Sequence, residues 1–108
     1  GERPWRLVAG EELARYYIET DRYAEAETVA AGLLATEVTD QYRRLHIEAL
    51  YWQQRDEEVL VALDGFDFRG SADLDGESIR ELELFRAVSS ARLAEMQAKD
   101  YLARPHKP

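Results

Sequence analysis

The two histidines, His46 and His106, are the candidates for acid–base chemistry in this chain, because histidine titrates near neutral pH. His106 stands in a tail that contains two prolines, and His46 follows Arg43 and Arg44 in a polar stretch. A catalytic triad needs a nucleophile and a carboxylate that converge on one histidine, and no such set can be argued here. We therefore expect His46 to be a surface residue and the chain to have no enzymatic activity.

The segment SADLDGESIREL has the beginning of a calcium-binding loop. Ser71, Asp73, Asp75 and Gly76 match positions one, three, five and six of an EF-hand. Position twelve, which requires a bidentate glutamate, falls on Leu82. Turn residues that precede a helix explain the same pattern, so we expect neither a metal nor another cofactor.

The remaining carboxylates are typical of solvated helix faces. Glu25 with Glu27 and Glu81 with Glu83 stand in charge-rich segments, without the Glu-x-x-His spacing of helical metal sites. The absence of cysteine excludes disulfides and thiolate metal sites, and no glycine-rich phosphate loop occurs.

The composition predicts one soluble globular domain, residues 1–108. Apolar residues make up 45% of the chain, and no apolar run approaches the roughly 20 residues of a membrane helix. The formal charge of −8 argues against a nucleic-acid surface, which needs clustered lysine and arginine. The sequence is compatible with any cellular compartment, and we favour the cytoplasm.

Helix signals predict an all-α fold of about five helices. The expected segments are 4–20, 22–36, 41–54, a short helix from Asp56 to Gly65, and a long last helix over 77–103. Thr20 or Asp21 is expected to cap the second helix, Thr39 or Asp40 the third, and Asp56 the fourth.

A capping box of Ser78 and Glu81 is expected to begin the last helix. The glycine-rich segment 66–76 is predicted to be a loop, since Gly65, Gly70 and Gly76 interrupt the helical pattern. Phe66 and Phe68 are unusual in a solvated loop, and we expect them to fold back onto the helices.

Small residues and a 35-residue spacing suggest two related helical hairpins. Ala14 and Ala26 predict a close approach of the first two helices, with Tyr23 filling the space beside the contact. Similar residues recur 35 positions apart, in the pairs Ala14 and Ala49, Tyr16 and Tyr51, Tyr17 and Trp52, and Asp21 and Asp56.

This spacing resembles the tetratricopeptide repeat, whose period is about 34 residues. The first copy, residues 4–38, keeps Leu13, Ala14, Tyr17 and Ala26 at the family's spacing. It departs at three positions that the family fills with Trp, Phe and Pro, which are here Gly10, Ala30 and Val38.

The second copy, residues 39–65, is degenerate, because Gly65 falls where an aromatic residue is expected. The resemblance covers residues 4–63, and a generic antiparallel helical bundle is the alternative. The long last helix does not continue the repeat, and we expect it to cap the open end of the stack.

The resemblance implies a concave groove, formed by the first helix of each hairpin, that holds a peptide or a partner helix. Mapped onto this chain, the groove residues are Glu11, Arg15, Ile18 and Glu19 from the first copy, and Arg43, His46, Leu50 and Gln53 from the second. Ordinary solvent-facing charges are the alternative interpretation of these positions.

Two functions follow as hypotheses. The preferred one is a non-catalytic adaptor or scaffold domain that binds a basic or amphipathic protein segment. The alternative is an oligomerisation or structural module of a larger bacterial protein, such as a regulator, that uses the last helix or the Trp5 end against a second copy.

Overall fold

The computed structural model describes residues 4–105, and these residues form five α-helices and no strand. The helices are α1 (Trp5–Glu19), α2 (Tyr23–Thr36), α3 (Asp40–Trp52), α4 (Asp56–Leu63) and α5 (Gly76–Ala103). The predicted all-helical fold with a long last helix is confirmed. His106 lies outside the described residues.

The helices stack in chain order as antiparallel neighbours. Each helix packs against the next, and the connection from α4 to α5 is a loop of twelve residues, 64–75. Contacts also join α1 to α3 and α3 to α5, so alternate helices lie side by side. The described chain is elongated, with extents of 69 × 29 × 22 Å.

The first hydrophobic core lies between α1, α2 and α3, and small residues allow its helices to approach closely. Ala14, Ala26 and Ala30 are all buried. A Cβ atom added at Gly10 would lie 2.8 Å from Leu33 Cδ2, so glycine permits the contact between α1 and α2. The core is completed by Leu7 of α1 and by Tyr42 and Leu45 of α3.

The second core is larger and richer in aromatic residues. It brings together Ile47, Leu50, Tyr51, Val59, Leu63, Phe66, Phe68, Leu74, Leu82 and Phe85. Phe66 and Phe68 fold back from the loop, as predicted. The first half of α5 covers this core, and the ring of Phe85 stacks on Tyr51 at a centroid distance of 4.1 Å.

The two hairpin turns repeat at a spacing of 33 residues, whereas the starts of α1 and α3, Trp5 and Asp40, lie 35 residues apart like the residue pairs of the sequence. The first helix of each pair ends at Glu19 and at Trp52. A residue in the left-handed backbone region follows each end, Asp21 with φ 61° and Gln54 with φ 59°. The residue pairs of the sequence were aligned on recurring aromatic residues, whereas the repeated feature of the backbone is the turn between the helices.

The same hydrogen bond closes both turns. The backbone N–H of Arg22 donates to the Tyr17 carbonyl at 2.7 Å, and that of Arg55 donates to the Leu50 carbonyl at 3.1 Å. Neither arginine side chain caps the helix that follows. The chain therefore uses one turn geometry twice, independently of side-chain caps.

Tyr23 does not simply fill space beside Ala26. Its ring stacks on Trp52 of the second hairpin at a centroid distance of 5.9 Å, and its hydroxyl donates to Asp21 Oδ1 at 2.7 Å. Tyr23 therefore joins the two hairpins.

The predicted caps are confirmed at one helix and wrong at three. Thr39 Oγ1 accepts the N–H of Tyr42 at 3.1 Å and begins α3 as expected. Thr20 does not cap α2, because its hydroxyl donates back to the Tyr16 carbonyl at 2.8 Å. The cap of α5 is Asp75, whose Oδ1 accepts the N–H of Ser78 at 2.8 Å.

Asp56, the expected cap of α4, is instead the first residue of the helix and is buried. Its Oδ1 accepts the hydroxyl of Ser89 at 2.8 Å and lies 3.8 Å from Arg92 Nη1. This polar contact fastens α4 to α5. Gly65 follows α4 with φ +78°, where a residue without Cβ is favoured.

Candidate functional site

A pocket of about 360 Å³ opens between α1, α3 and the beginning of α5, and we call it the groove. Two hairpins and the last helix each contribute one wall, since alternate helices of the stack lie side by side. The lining residues are Arg15, Ile18, Glu19, Gln41, Arg44, Leu45, Glu48, Asp75, Glu77, Ser78 and Glu81.

The groove has an apolar floor and an acidic rim. The half-buried Ile18 provides most of the apolar surface, because Leu45 is buried. The lining carries two guanidinium groups and five carboxylates, an excess of three negative charges. An apolar floor inside a charged rim suits a partner that inserts aliphatic side chains and presents cations at the edge.

Arg44 is the central cation of the groove and is held by two helices. Its Nη2 lies 2.8 Å from Glu81 Oε2 of α5 and 3.9 Å from Glu48 Oε2 on the same helix. Its Nε is buried, and no described residue accepts a hydrogen bond from it. Arg44 thus ties α3 to α5 while its charge is already matched by the protein.

The pKa values of two carboxyl groups in the groove are shifted in opposite directions. Burial raises the pKa of Glu48, an effect that Arg44 opposes and Glu81 reinforces. Hydrogen bonds from the backbone and the side chain of Ser78 lower the pKa of Asp75. A further cation near Glu48 would therefore stabilise its charged form, whereas the charged form of Asp75 is already stabilised.

The structure places three of the predicted groove residues together. Arg15, Ile18 and Glu19 line one wall, as the resemblance implied. Glu11, the fourth predicted residue of α1, is half-buried and does not line the pocket.

The predicted residues of α3 do not belong to the groove. Arg43 and His46 line a separate pocket of about 300 Å³, together with residues of α2, α4 and the following loop. There the Arg43 guanidinium lies 5.4 Å from the centre of the Phe66 ring. Burial lowers the pKa of His46, with Glu27 and Glu58 opposing the shift and Arg55 adding to it.

The last two predicted residues, Leu50 of α3 and Gln53 just after its end, have structural roles. Leu50 is buried in the second core. The side chain of Gln53 donates to Glu27 Oε2 at 3.1 Å and to the Ala49 carbonyl at 3.0 Å. Glu27 also accepts from Arg55, so these groups join the second turn to α2.

The α3 wall that the sequence mapping missed consists of Gln41, Arg44, Leu45 and Glu48. These four residues have the i, i+3, i+4, i+7 spacing of one helix face, and that spacing could have identified them. The α5 wall, including Glu77 and Glu81, was missed because the last helix was expected to cap the stack or to contact a second copy, and not to line the groove. Ser78 and Glu81, assigned to a capping box, line the groove instead.

Among residues 4–105 no group of three or more histidines and carboxylates is arranged to hold a metal. Within the same residues no helix is both long and apolar enough to cross a membrane. The chain matches no known family model, and neither a curated protein nor a solved structure matches it.

Proposed function

We propose that this chain is an interaction module that binds a basic segment of a partner protein in the groove between α1, α3 and α5. The observation that carries the proposal is the lining of the groove, whose five carboxylates face two guanidinium groups above an apolar floor. The tetratricopeptide-like pattern of the first hairpin supports the same conclusion by resemblance only.

The charges available to a ligand decide which partner fits. Arg44 is engaged by Glu81, and Asp75 by Ser78. Among residues 4–105 the exposed carboxylates of Glu19 and Glu77 form no ion pair, and they stand on opposite walls. A segment with lysines or arginines flanking an aliphatic residue would bridge both walls, because each cation meets an acidic side chain.

Selection from a displayed library of random peptides tests the proposal. We expect the 108-residue chain to enrich sequences that contain lysine or arginine near aliphatic residues. The double variant Glu19→Lys with Glu77→Lys should lose the selected peptides, because both walls then repel cations. Rim charges of this kind act mainly on the association rate and on salt dependence.

The matched control carries the same change of charge away from the groove. Glu37→Lys with Glu57→Lys alters two other exposed glutamates, so it should bind the selected peptides like the parent chain. The proposal is wrong if no sequence is enriched, or if the groove variant and the control bind equally well.

A second candidate function, homo-oligomerisation, is favoured by a different observation. The face of α1 directed away from the cores exposes large apolar side chains, including Trp5 and Tyr16. This surface consists of Trp5, Val8, Leu13 and Tyr16; we call it the outer face, and it is separate from the acidic groove lining. Sedimentation equilibrium of the parent chain and of Trp5→Glu tests this candidate, and a parent chain that stays monomeric would exclude it.

A further inference from the structure

The guanidinium group of Arg44 lines the groove and is shared by two carboxylates from different helices. Its Nη2 donates a hydrogen bond to Glu81 Oε2 of α5 at 2.8 Å. The distance from the same nitrogen to Glu48 Oε2 of α3 is 3.9 Å, which is too long for a hydrogen bond. Glu48 and Glu81, which we call the acidic pair, therefore face one cation, and that cation belongs to the chain itself.

The fit of Arg44 to the acidic pair is incomplete. Its Nε is buried, and among residues 4–105 no group accepts a hydrogen bond from it. A buried donor without an acceptor destabilises the conformation in which it occurs, because the same donor would bind water if it were exposed. Rotation of the Arg44 side chain into solvent would satisfy this nitrogen, which lowers the free energy needed to leave the acidic pair.

The negative charge of Glu48 is only partly compensated while Arg44 is in place. The Glu48 side chain is 14% exposed, and burial raises its pKa although Arg44 acts in the opposite direction. Glu81 raises this pKa further, because two neighbouring carboxylates repel each other. A guanidinium that donated to both carboxylates would therefore bind the acidic pair more strongly than Arg44 does.

The acidic pair can be reached from the groove. The side chain of Glu81 is 36% exposed and that of Arg44 is 18% exposed, and both residues line the pocket. The half-buried Ile18 belongs to the same lining and offers an apolar contact to an entering segment. A bound segment can thus place an aliphatic side chain on Ile18 while one of its cations reaches the acidic pair.

We infer that an arginine of the partner segment replaces Arg44 at the acidic pair, so that Arg44 is the chain's own substitute for its ligand. This inference rests on the proposed binding of a basic segment in the groove. The class of cation is arginine and not lysine, because a planar guanidinium carries several N–H donors that can bridge two carboxylates, whereas an ammonium is a compact point charge. The displaced Arg44 side chain then turns towards solvent.

The exchange predicts that Arg44 weakens binding in the parent chain. A ligand that must displace Arg44 binds only the conformation that Arg44 has left, so its apparent affinity falls with the population of that conformation. Minor conformations are commonly populated at about 10% or less, so Arg44→Gln should strengthen binding by at least about tenfold. A purely structural Arg44, which only holds Glu81 in position, predicts the opposite sign.

Fluorescence anisotropy with peptides from the library selection tests the inference. The parent chain is compared with Arg44→Gln and with Arg15→Gln, which is the matched control. Arg15→Gln removes the other guanidinium of the groove lining and changes the charge equally, but it leaves Arg44 at the acidic pair. The affinity of this control should rise only about twofold, as expected for an exposed charge.

Citrulline, which has the shape of arginine without its charge, identifies the cation of the ligand. Replacing the arginines of a peptide one at a time should abolish the advantage of Arg44→Gln at one position only. The inference alone is overturned if peptides bind through lysine only, or if Arg44→Gln binds them no better than Arg15→Gln does. Failure of the parent chain to enrich any peptide overturns the proposed function, and the inference with it.

A measurement on the parent chain covers the case in which Arg44→Gln fails to fold. The N–H group at Arg44 Nε is buried, so its proton should exchange slowly with water in the free chain, as measured by nuclear magnetic resonance. Saturation with a selected peptide should expose this group and accelerate the exchange. A proton that stays protected while the peptide is bound would show that Arg44 has not moved, which contradicts the inference.

Discussion

The two ends of the helix stack differ in what covers them. At the carboxyl end, the first half of α5 buries Leu82 and Phe85 against the second hairpin. At the amino end, no described helix covers the outer face of α1, where Trp5 and Tyr16 are exposed. The same hairpin turn thus occurs twice in a stack whose two ends differ. The covered end stabilises the fold, and the open end is available for contacts.

The interiors of the two ends differ as well. The first core depends on alanines and on Gly10, which bring helices together but bury little side-chain area. The second core contains stacked and edge-to-face aromatic rings and the buried contact between Asp56 and Ser89. We therefore expect local stability to increase from the first hairpin towards α5.

The largest expected effect comes from removing α5. A chain truncated after Asp73 should lose its cooperative thermal transition, measured by far-ultraviolet circular dichroism, because the second core loses Leu82 and Phe85. A chain truncated after Glu95 keeps both residues and should melt close to the parent. If the shorter chain melts cooperatively at the parent temperature, α5 is not a structural cover.

Single core substitutions sharpen the same contrast. Phe85→Ala should lower the free energy of unfolding by about 3–5 kcal/mol, since it deletes a buried ring stacked on Tyr51. Leu13→Ala, on the outer face, should change it by less than about 0.5 kcal/mol at concentrations where the chain is monomeric. Urea unfolding measures both values, and similar losses would contradict the contrast between the ends.

The buried polar contact should give the next largest effect. Ser89→Ala removes the hydroxyl that donates to Asp56 and leaves the buried carboxylate with one fewer partner. We expect a loss of about 1–3 kcal/mol in the free energy of unfolding. Ser90→Ala, at the exposed neighbouring position, is the control and should be nearly neutral. Equal effects would mean that this contact does not fasten α4 to α5.

Helix capping gives a smaller difference. Thr39→Ala should destabilise the chain by about 1 kcal/mol, because Thr39 Oγ1 accepts the N–H of Tyr42 in the first turn of α3. Thr20 stands at the end of α1, where its exposed hydroxyl donates to a Tyr16 carbonyl that already accepts the Thr20 N–H, so Thr20→Ala should cost less in the same urea titration. A larger loss for Thr20 would reverse the assignment of caps.

The smallest effect is the pH dependence contributed by Glu48. Burial raises the pKa of Glu48, so the folded chain binds the proton of this carboxyl group more tightly than the unfolded chain does. Stability from this group is present at low pH and falls as the pH rises through the raised pKa. Glu48→Gln cannot ionise, so its stability should not fall in this way. The urea midpoint of Glu48→Gln minus that of the parent chain should therefore increase with pH. A difference that decreases with pH would contradict the raised pKa of Glu48.

The helices could be predicted from the sequence because apolar periodicity and turn residues are local signals. The positions of Phe66 and Phe68 also followed, since apolar rings in a loop must find a core. The residues that begin α2 and α5 could not be predicted from the sequence. Several polar residues near each helix start are chemically able to cap, and tertiary contacts select among them, as Arg44 does by engaging Glu81.

The groove could be predicted only in part. Its α1 wall was implied by the tetratricopeptide resemblance, whereas its α3 wall was displaced because the repeat was aligned on aromatic residues. Ala14 and Ala49 are both buried, but Tyr16 is exposed while Tyr51 is buried, so only some residues 35 positions apart are equivalent. The conformations of Asp21 and Gln54, which define the spacing of the turns, are backbone properties that residue types alone do not specify.

The central claim is that a partner segment binds in the groove between α1, α3 and α5. Its most direct test is paramagnetic broadening of backbone amide signals by a spin-labelled peptide from the library selection. We predict broadening in residues 15–19, 44–48 and 77–81, and its loss in the variant with Glu19→Lys and Glu77→Lys. Broadening centred on Arg43 and His46, or on the outer face of α1, would contradict the claim.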